Sequence, residues 1–241
     1  MKKYYSYEEL KTFFEKANLF VVKKEYTNAV DIISHLINNI SPENPMLPII
    51  LDYRANIYTK MNEWDFAISD IEKSISINPD SDSNYLQMGV YITWKHFYTN
   101  RFRIDEKNKE IETAIKFYKE CLIRDPTNVT AWLNIIETYL FLMDWDNALC
   151  HLGICKPYLS TKENRLIWTW LTCLSLALAG DSVEHSDIDL LKDETEYYKT
   201  NHDYKQIDNV LSELQRICFE PERLKMANEV HQLYKLRIGV Q

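Results

Sequence analysis

Glycine is scarce in this sequence: four of the 241 residues are glycine, and seven are proline. The chain therefore has few positions that favour the left-handed backbone of tight β-turns. Gly-rich loops that cradle phosphates or dinucleotides are equally hard to build. Long segments of helix-forming residues separate the few breakers, so the sequence predicts an all-α protein.

An excess of basic charge and a long apolar run are also lacking. The formal net charge is -8, which disfavours binding to nucleic acid or anionic membranes because that binding relies on basic side chains. The most apolar segment, residues 166–179, contains Thr and Ser and is shorter than the roughly 20 residues that span a bilayer. We expect neither a membrane nor nucleic acid as the partner.

The sequence predicts a cytoplasmic protein. The acidic Glu8 and Glu9 stand where a secretory signal would begin its hydrophobic core. The five cysteines are an odd number at scattered spacings, as expected of free thiols in a reducing compartment. Cys150, His151 and Cys155 form a cluster, but side chains at these helical spacings project in different directions. We therefore predict no metal site.

Motifs for catalysis are missing too. The sequence has no G-x-S-x-G elbow, P-loop or Gly-rich dinucleotide turn. Its histidines are dispersed, and carboxylates such as Asp52 and Glu137 stand alone rather than as an acid–base pair. We predict no catalytic residue, no cofactor and no enzymatic activity.

What the sequence does contain is an internal repeat. Residues 51–79 predict two antiparallel helices with small residues, Ala55 and Ala67, where the helices must approach closely. Corresponding residues recur in four segments: Phe13, Ala17, Phe20, Ala29, Ile33 and Pro42; Leu51, Ala55, Tyr58, Ala67, Ile71 and Pro79; Tyr85, Gly89, Ile92, Ala114, Tyr118 and Pro126; and Trp132, Ile136, Tyr139, Ala148, Leu152 and Ser160.

This pattern resembles the tetratricopeptide repeat family. The resemblance implies an α-solenoid of antiparallel helical hairpins with four repeats, at about residues 10–43, 48–81, 82–128 and 129–163. Turns within hairpins are expected at Lys24-Glu25, Asn62-Glu63 and Asp144-Trp145-Asp146. Residues 164–241 are expected to form degenerate helical repeats and a helical C-terminal capping region of the same domain. Their predicted helices span residues 164–179, 188–198, 203–219 and 221–238, with Gly180 ending the first and Pro221 starting the last.

The third repeat contains an insert near residues 95–107, roughly 13 residues beyond the repeat period. We predict an extended helix pair with its turn near residues 105–108. Three interpretations remain open: packing on the solenoid itself, protein docking, or nucleic-acid contact through basic side chains that alternate with aromatic ones. The candidate docking residues are Lys95, Phe97, Arg101, Phe102 and Arg103.

The resemblance also implies a concave groove, lined by the first helix of each repeat, that binds a peptide or helix of another protein. Asn18 and Asn56 fall at equivalent positions, where an amide can bond to both N–H and C=O of a bound main chain. The alternative is that these residues are solvated polar groups on a helix face. The candidate groove residues are Asn18, Val22, Asp52, Asn56, Lys60, Val90, Trp94, Glu137 and Phe141.

One class of partner is disfavoured. Family members that bind Hsp70 and Hsp90 C-terminal tails use a clamp of Lys, Asn and Arg side chains around two carboxylates. Asn18 matches one clamp position, but the other corresponding positions here are Phe14, Tyr53, Ser83 and Gln87, which offer little to a carboxylate. We do not expect those tails to bind.

The sequence thus predicts a non-catalytic, protein-binding scaffold or adaptor. A first alternative is a helical scaffold subunit of a larger enzyme complex. Residues 125–132 faintly resemble the repeats of protein prenyltransferase α subunits, but the Arg expected after Trp132 is missing. A second alternative is a self-assembling homo-oligomer that pairs through the aromatic segment at residues 4–7.

Overall fold

The computed structural model describes residues 2–99, 104–180 and 221–237. These residues form ten α-helices and one short 3-10 helix, Lys156–Tyr158. The all-α prediction is confirmed. The helices are α1 Tyr7–Val22, α2 Tyr26–Asn39, α3 Leu47–Lys60, α4 Trp64–Ile77, α5 Asp82–Thr99, α6 Ile104–Arg124, α7 Val129–Phe141, α8 Trp145–Cys155, α9 Lys162–Ala179 and α10 Pro221–Arg237.

The chain divides into two compact units, Met1–Pro126 and Thr127–Gln241. In the first unit, α1 packs on α2, α3 on α4 and α5 on α6, and the second helix of each pair packs on the first helix of the next. This is the hairpin stacking of a helical solenoid. The four repeat boundaries, and a single domain that includes the C-terminal region, stay predictions.

Small residues sit where the paired helices meet. Ala17, Ala29, Ala55 and Ala67 are completely buried. Gly89 of α5 is the tightest case, because a Cβ atom there would lie 2.4 Å from the Tyr118 ring of α6. The absence of a side chain at Gly89 therefore lets α5 and α6 pack closely around that ring.

The predicted turns at Lys24-Glu25 and Asn62-Glu63 are confirmed, whereas the third, predicted at Asp144-Trp145-Asp146, lies at residues 142–144 because Trp145 and Asp146 already belong to α8. The three turns share one backbone geometry. Lys24, Asn62 and Met143 adopt φ values of 62°, 61° and 56°, the left-handed conformation that often ends a helix. An acidic residue follows each of them and donates its backbone N–H to a carbonyl of the preceding helix, at 2.9 to 3.0 Å. The next helix begins with Tyr26, Trp64 or Trp145.

The insert forms an extended helix pair, as predicted: α5 has 18 residues and α6 has 21, against 14 in each of α2, α3 and α4. The predicted turn near residues 105–108 is wrong, because these residues lie in the first turns of α6. The prediction rested on the polarity of residues 105–108, and polar residues occur in exposed helical turns as well as in loops. The chain instead passes from α5 to α6 between Thr99 and Ile104.

In the second unit, α8 and α10 pack on α9. Gly180 ends α9 with a φ of 83°, and Pro221 starts α10, as predicted. Trp170 of α9 stacks on Tyr234 of α10 with ring centroids 4.8 Å apart. The predicted helices at 188–198 and 203–219 lie outside the described residues. None of the described helices combines the length and apolarity needed to cross a bilayer.

Candidate partner-binding face

The candidate face of the first unit is formed by α1, α3 and α5, the first helices of its three hairpins. We call it the A-helix face and define it by the seven candidate groove residues on these helices: Asn18, Val22, Asp52, Asn56, Lys60, Val90 and Trp94. Asn18, Val22, Asn56 and Lys60 are exposed, and the other three are half-buried. Val22 is 74% exposed, so its apolar side chain is open to a partner.

Asn56 is fixed in place by two hydrogen bonds. Its Nδ2 donates to the Asp52 carbonyl oxygen at 3.0 Å, and its Oδ1 accepts from the Tyr91 hydroxyl of α5 at 3.1 Å. An amide has two N–H hydrogens and two oxygen lone pairs, so one donor and one acceptor site remain for a partner. The side chain of Asn18 makes no hydrogen bond to any described residue. The two equivalent asparagines therefore differ: one is pre-oriented and the other is not.

Tyr91 was missed by the sequence reasoning. It is 5% exposed, and burial together with the nearby Asp52 raises the pKa of its phenol. It therefore remains a neutral donor to Asn56. Little in the sequence indicated that Tyr91 would bond to Asn56, because its hydroxyl is the only polar side-chain group between the apolar Val90 and Ile92.

Asp52 is turned inward, unlike the other candidates on α3. Burial raises the pKa of its carboxyl, while a hydrogen bond with Ser74 of α4 opposes that shift. Its Oδ1 atom is buried and has no hydrogen-bond partner among the described residues. Asp52 is thus the member of the A-helix face whose carboxyl is partly withdrawn from solvent.

Aromatic rings stand where the chaperone-tail clamp would need polar groups. Phe14 of α1 packs edge to face against Tyr53 of α3, with centroids 5.0 Å apart and planes at 81°. The Tyr53 hydroxyl is buried without a hydrogen-bond partner in the described part of the chain. The contact between α1 and α3 at these two rings is therefore apolar.

The end of α5 forms a second aromatic cluster. Tyr98 stacks on Trp64 with centroids 5.5 Å apart and also contacts Trp94 at 5.7 Å. Lys95, one of the predicted docking residues, forms an ion pair with Asp65 of α4 at 2.6 Å. The side chain of Phe97 and the whole of Arg101, Phe102 and Arg103 lie outside what the structure describes.

Two candidate groove residues, Glu137 and Phe141, belong to α7 of the second unit, so they are not counted in the A-helix face. Burial raises the pKa of Glu137 to about 7. Phe141 is half-buried at the end of the helix.

The cysteine–histidine cluster does not converge. Cys150 is exposed and Cys155 is buried, while the Nδ1 atom of His151 lies 2.8 Å from the Asn147 carbonyl oxygen. No group of three or more His, Cys, Asp or Glu side chains is placed to hold a metal ion within the described ranges.

Comparison with protein families matches residues 17–216 to the ChAPs, the Chs5p-Arf1p-binding proteins. The match spans most of the chain. This chain belongs to the ChAPs family. No curated protein matches it in sequence.

Solved structures similar to this ChAPs member are tetratricopeptide repeat proteins. TTC0263 of Thermus thermophilus is 14% identical with a TM-score of 0.53, over 92% of this chain and 97% of that one. A tetratricopeptide repeat protein of Parabacteroides merdae is 13% identical with a TM-score of 0.53, over 93% and 98% of the two chains. MamA is 14% identical with a TM-score of 0.54, over 86% and 92%.

At these identities the similarity shows the fold alone. It confirms the predicted tetratricopeptide-type solenoid. The fold and the ChAPs family together indicate a protein-interaction scaffold.

Proposed function

We propose that this ChAPs member is a non-catalytic scaffold that holds a segment of a partner protein on the A-helix face. The observation that carries the proposal is the pre-oriented amide of Asn56, which Tyr91 and the Asp52 backbone hold in place. A group already fixed in its binding orientation loses less entropy when a partner arrives. Its remaining donor and acceptor suit the main chain of an extended segment.

The rest of the face favours a segment with an apolar anchor. Val22 is exposed, and the Phe14–Tyr53 pair lies between α1 and α3. Lys60 is an exposed cation at the end of α3. A tail with two carboxylates would contact the aromatic rings of Phe14 and Tyr53 instead of basic side chains. We therefore do not propose Hsp70 or Hsp90 tails as partners.

The family name supplies the candidates for the partner. ChAPs are named for binding Chs5p and Arf1p, and we propose one of these two proteins as the partner. We also retain the cytoplasm as the proposed location, because Cys121, Cys150, Cys155 and Cys173 are free thiols, which suits a reducing compartment.

Calorimetric titration of the purified chain with Arf1p, and separately with Chs5p, tests the proposal. We expect one of them to bind, and we expect Asn18→Ala/Asn56→Ala to weaken binding at least about tenfold, which corresponds to about 1.4 kcal/mol. The matched control is Asn28→Ala/Asn38→Ala, which removes two exposed amides from α2. Circular dichroism verifies that both variants keep their helices.

The assignment of the face and the assignment of the partner can each be contradicted without the other. Binding of either protein with unchanged affinity in Asn18→Ala/Asn56→Ala contradicts the assigned face. Binding of neither protein to the wild type contradicts the partner assignment.

A further inference from the structure

A second exposed surface runs along α1, beside the A-helix face. Its residues recur every three or four positions, so they share one side of the helix, and all are exposed. We call it the α1 stripe and define it as Glu8, Thr12, Glu15, Lys16, Leu19, Val22 and Lys23.

Charge is ordered along the stripe. Glu8 and Glu15 lie in its N-terminal part, and Lys16 and Lys23 follow toward the C-terminal end. None of these four side chains forms an ion pair with a described residue. The apolar side chains of the stripe, Leu19 and Val22, are 63% and 74% exposed. A surface with this order of charges is complementary to its own reversed copy.

We propose that the α1 stripe binds the α1 stripe of a second copy of this chain in antiparallel orientation. With the two-fold axis between residues 15 and 16, Glu8 faces Lys23 of the second copy and Glu15 faces Lys16. Thr12 then faces Leu19. Each of these pairs occurs twice, as an isologous two-fold interface requires.

The charges select the orientation, and the apolar side chains supply burial. A parallel arrangement would place Glu8 against Glu8 and Lys23 against Lys23, and such like-charge contacts suppress the wrong pairing. Exposed ion pairs contribute about 0–1 kcal/mol each, so burial of Leu19 and Val22 is needed as well. One helix-on-helix contact is smaller than the roughly 1,600 Å² of a standard interface. We therefore expect a weak dimer that added salt weakens further.

The dimer does not rest on the proposed partner binding, although the two surfaces share the side chain of Val22. The key groups of the A-helix face, Asn18 and Asn56, are not part of the α1 stripe. A chain that fails to bind Arf1p or Chs5p can still dimerise, and the reverse also holds.

Sedimentation equilibrium of the purified full chain, from about 10 μM to 1 mM, tests the proposal with a charge-swap pair. Glu8→Lys/Glu15→Lys makes the stripe basic, and Lys16→Glu/Lys23→Glu makes it acidic. We expect each variant alone to associate at least tenfold more weakly than the wild type. An equimolar mixture of the two should regain association. Both variants keep a net negative charge, so overall attraction between them does not explain such a recovery.

Matched controls carry the same charge changes elsewhere in the first unit. Glu72→Lys/Glu112→Lys and Lys73→Glu/Lys116→Glu alter exposed side chains of α4 and α6, and we expect them to associate like the wild type. A wild type that stays monomeric over the whole range overturns the proposal. A mixture that fails to recover, or controls that lose association equally, overturns it too.

Discussion

At the scale of single residues, the space around a glycine decides how closely α5 and α6 pack. Gly89 faces the ring of the buried Tyr118, whose hydroxyl bonds with Thr93 at 3.1 Å. At Gly153 of α8, an added Cβ atom would have nothing within 4 Å. These two helical glycines therefore offer opposite environments for the same substitution.

We predict that Gly89→Ala destabilises the protein by about 1–3 kcal/mol, because the added methyl overpacks the Tyr118 ring. Gly153→Ala is the control and should stabilise by up to about 1 kcal/mol, because alanine is the better helix former. Chemical denaturation followed by circular dichroism measures both. An unchanged or raised free energy of unfolding in Gly89→Ala would show that the close packing is not needed.

A second residue-scale prediction concerns Glu137. Burial raises its pKa from the ordinary 4.5 to about 7. Between these two pH values the folded state therefore holds a proton that the unfolded chain releases. Stability from this group is present below pH 4.5 and is lost as the pH rises to 7. The loss amounts to about 3 kcal/mol at 1.36 kcal/mol per pKa unit.

Glu137→Gln removes the titration, so its stability relative to the wild type should increase from pH 5 to pH 8. Urea denaturation of both proteins at the two pH values measures the difference. Parallel pH profiles for the two proteins would contradict a raised pKa at Glu137.

The contacts of individual side chains were the part of the structure that the sequence predicted least well. Asn56 was predicted on its helix face, but its hydrogen bond to Tyr91 joins residues 35 positions apart and depends on how α3 and α5 pack. Asp52 was predicted on the same helix face, yet its Oδ1 atom is buried. Helical periodicity places a residue on a face and does not determine which rotamer its side chain adopts.

At the scale of elements, the hairpin turns followed from local sequence. Lys24-Glu25 and Asn62-Glu63 were found because each breaks an apolar periodicity, and the third turn was predicted about two residues too late, at Asp144-Trp145-Asp146. The α5–α6 turn was misplaced because residues 105–108 are as polar as a loop. These residues instead lie in the first turns of α6, which polarity alone does not distinguish from a loop.

The left-handed turn residues give a prediction at this scale. Lys24 has a φ of 62°, while its neighbour Lys23 has a φ of -78°. Lys24→Gly should raise the free energy of unfolding by up to about 1 kcal/mol, because glycine adopts positive φ without steric cost.

Lys23→Gly is the matched control: it removes the same charge from the adjacent exposed position, where positive φ is not required. We expect it to be neutral or destabilising. Thermal unfolding of the two variants compares them directly. A Lys24→Gly variant that is no more stable than Lys23→Gly would contradict the shared turn geometry.

At the scale of the whole molecule, composition and repetition were sufficient to predict the fold class. Stacked hairpins were indicated by the scarcity of glycine and by four sets of small and large apolar residues in the same phase. Each set also ends with a Pro or Ser after its second helix. The partner was beyond that reasoning, because a solenoid presents several surfaces and repeat positions do not reveal which one is used. The ChAPs match supplied the candidates for the partner.

The central claim is that the partner lies on the A-helix face, and site-specific photo-cross-linking tests it most directly. A benzophenone amino acid replaces Lys60 on that face or Lys73 on α4, both of which are exposed. Each chain is then irradiated with whichever of Arf1p and Chs5p binds it. The account predicts a cross-linked product from position 60 and none from position 73. Cross-linking from position 73 alone would contradict it.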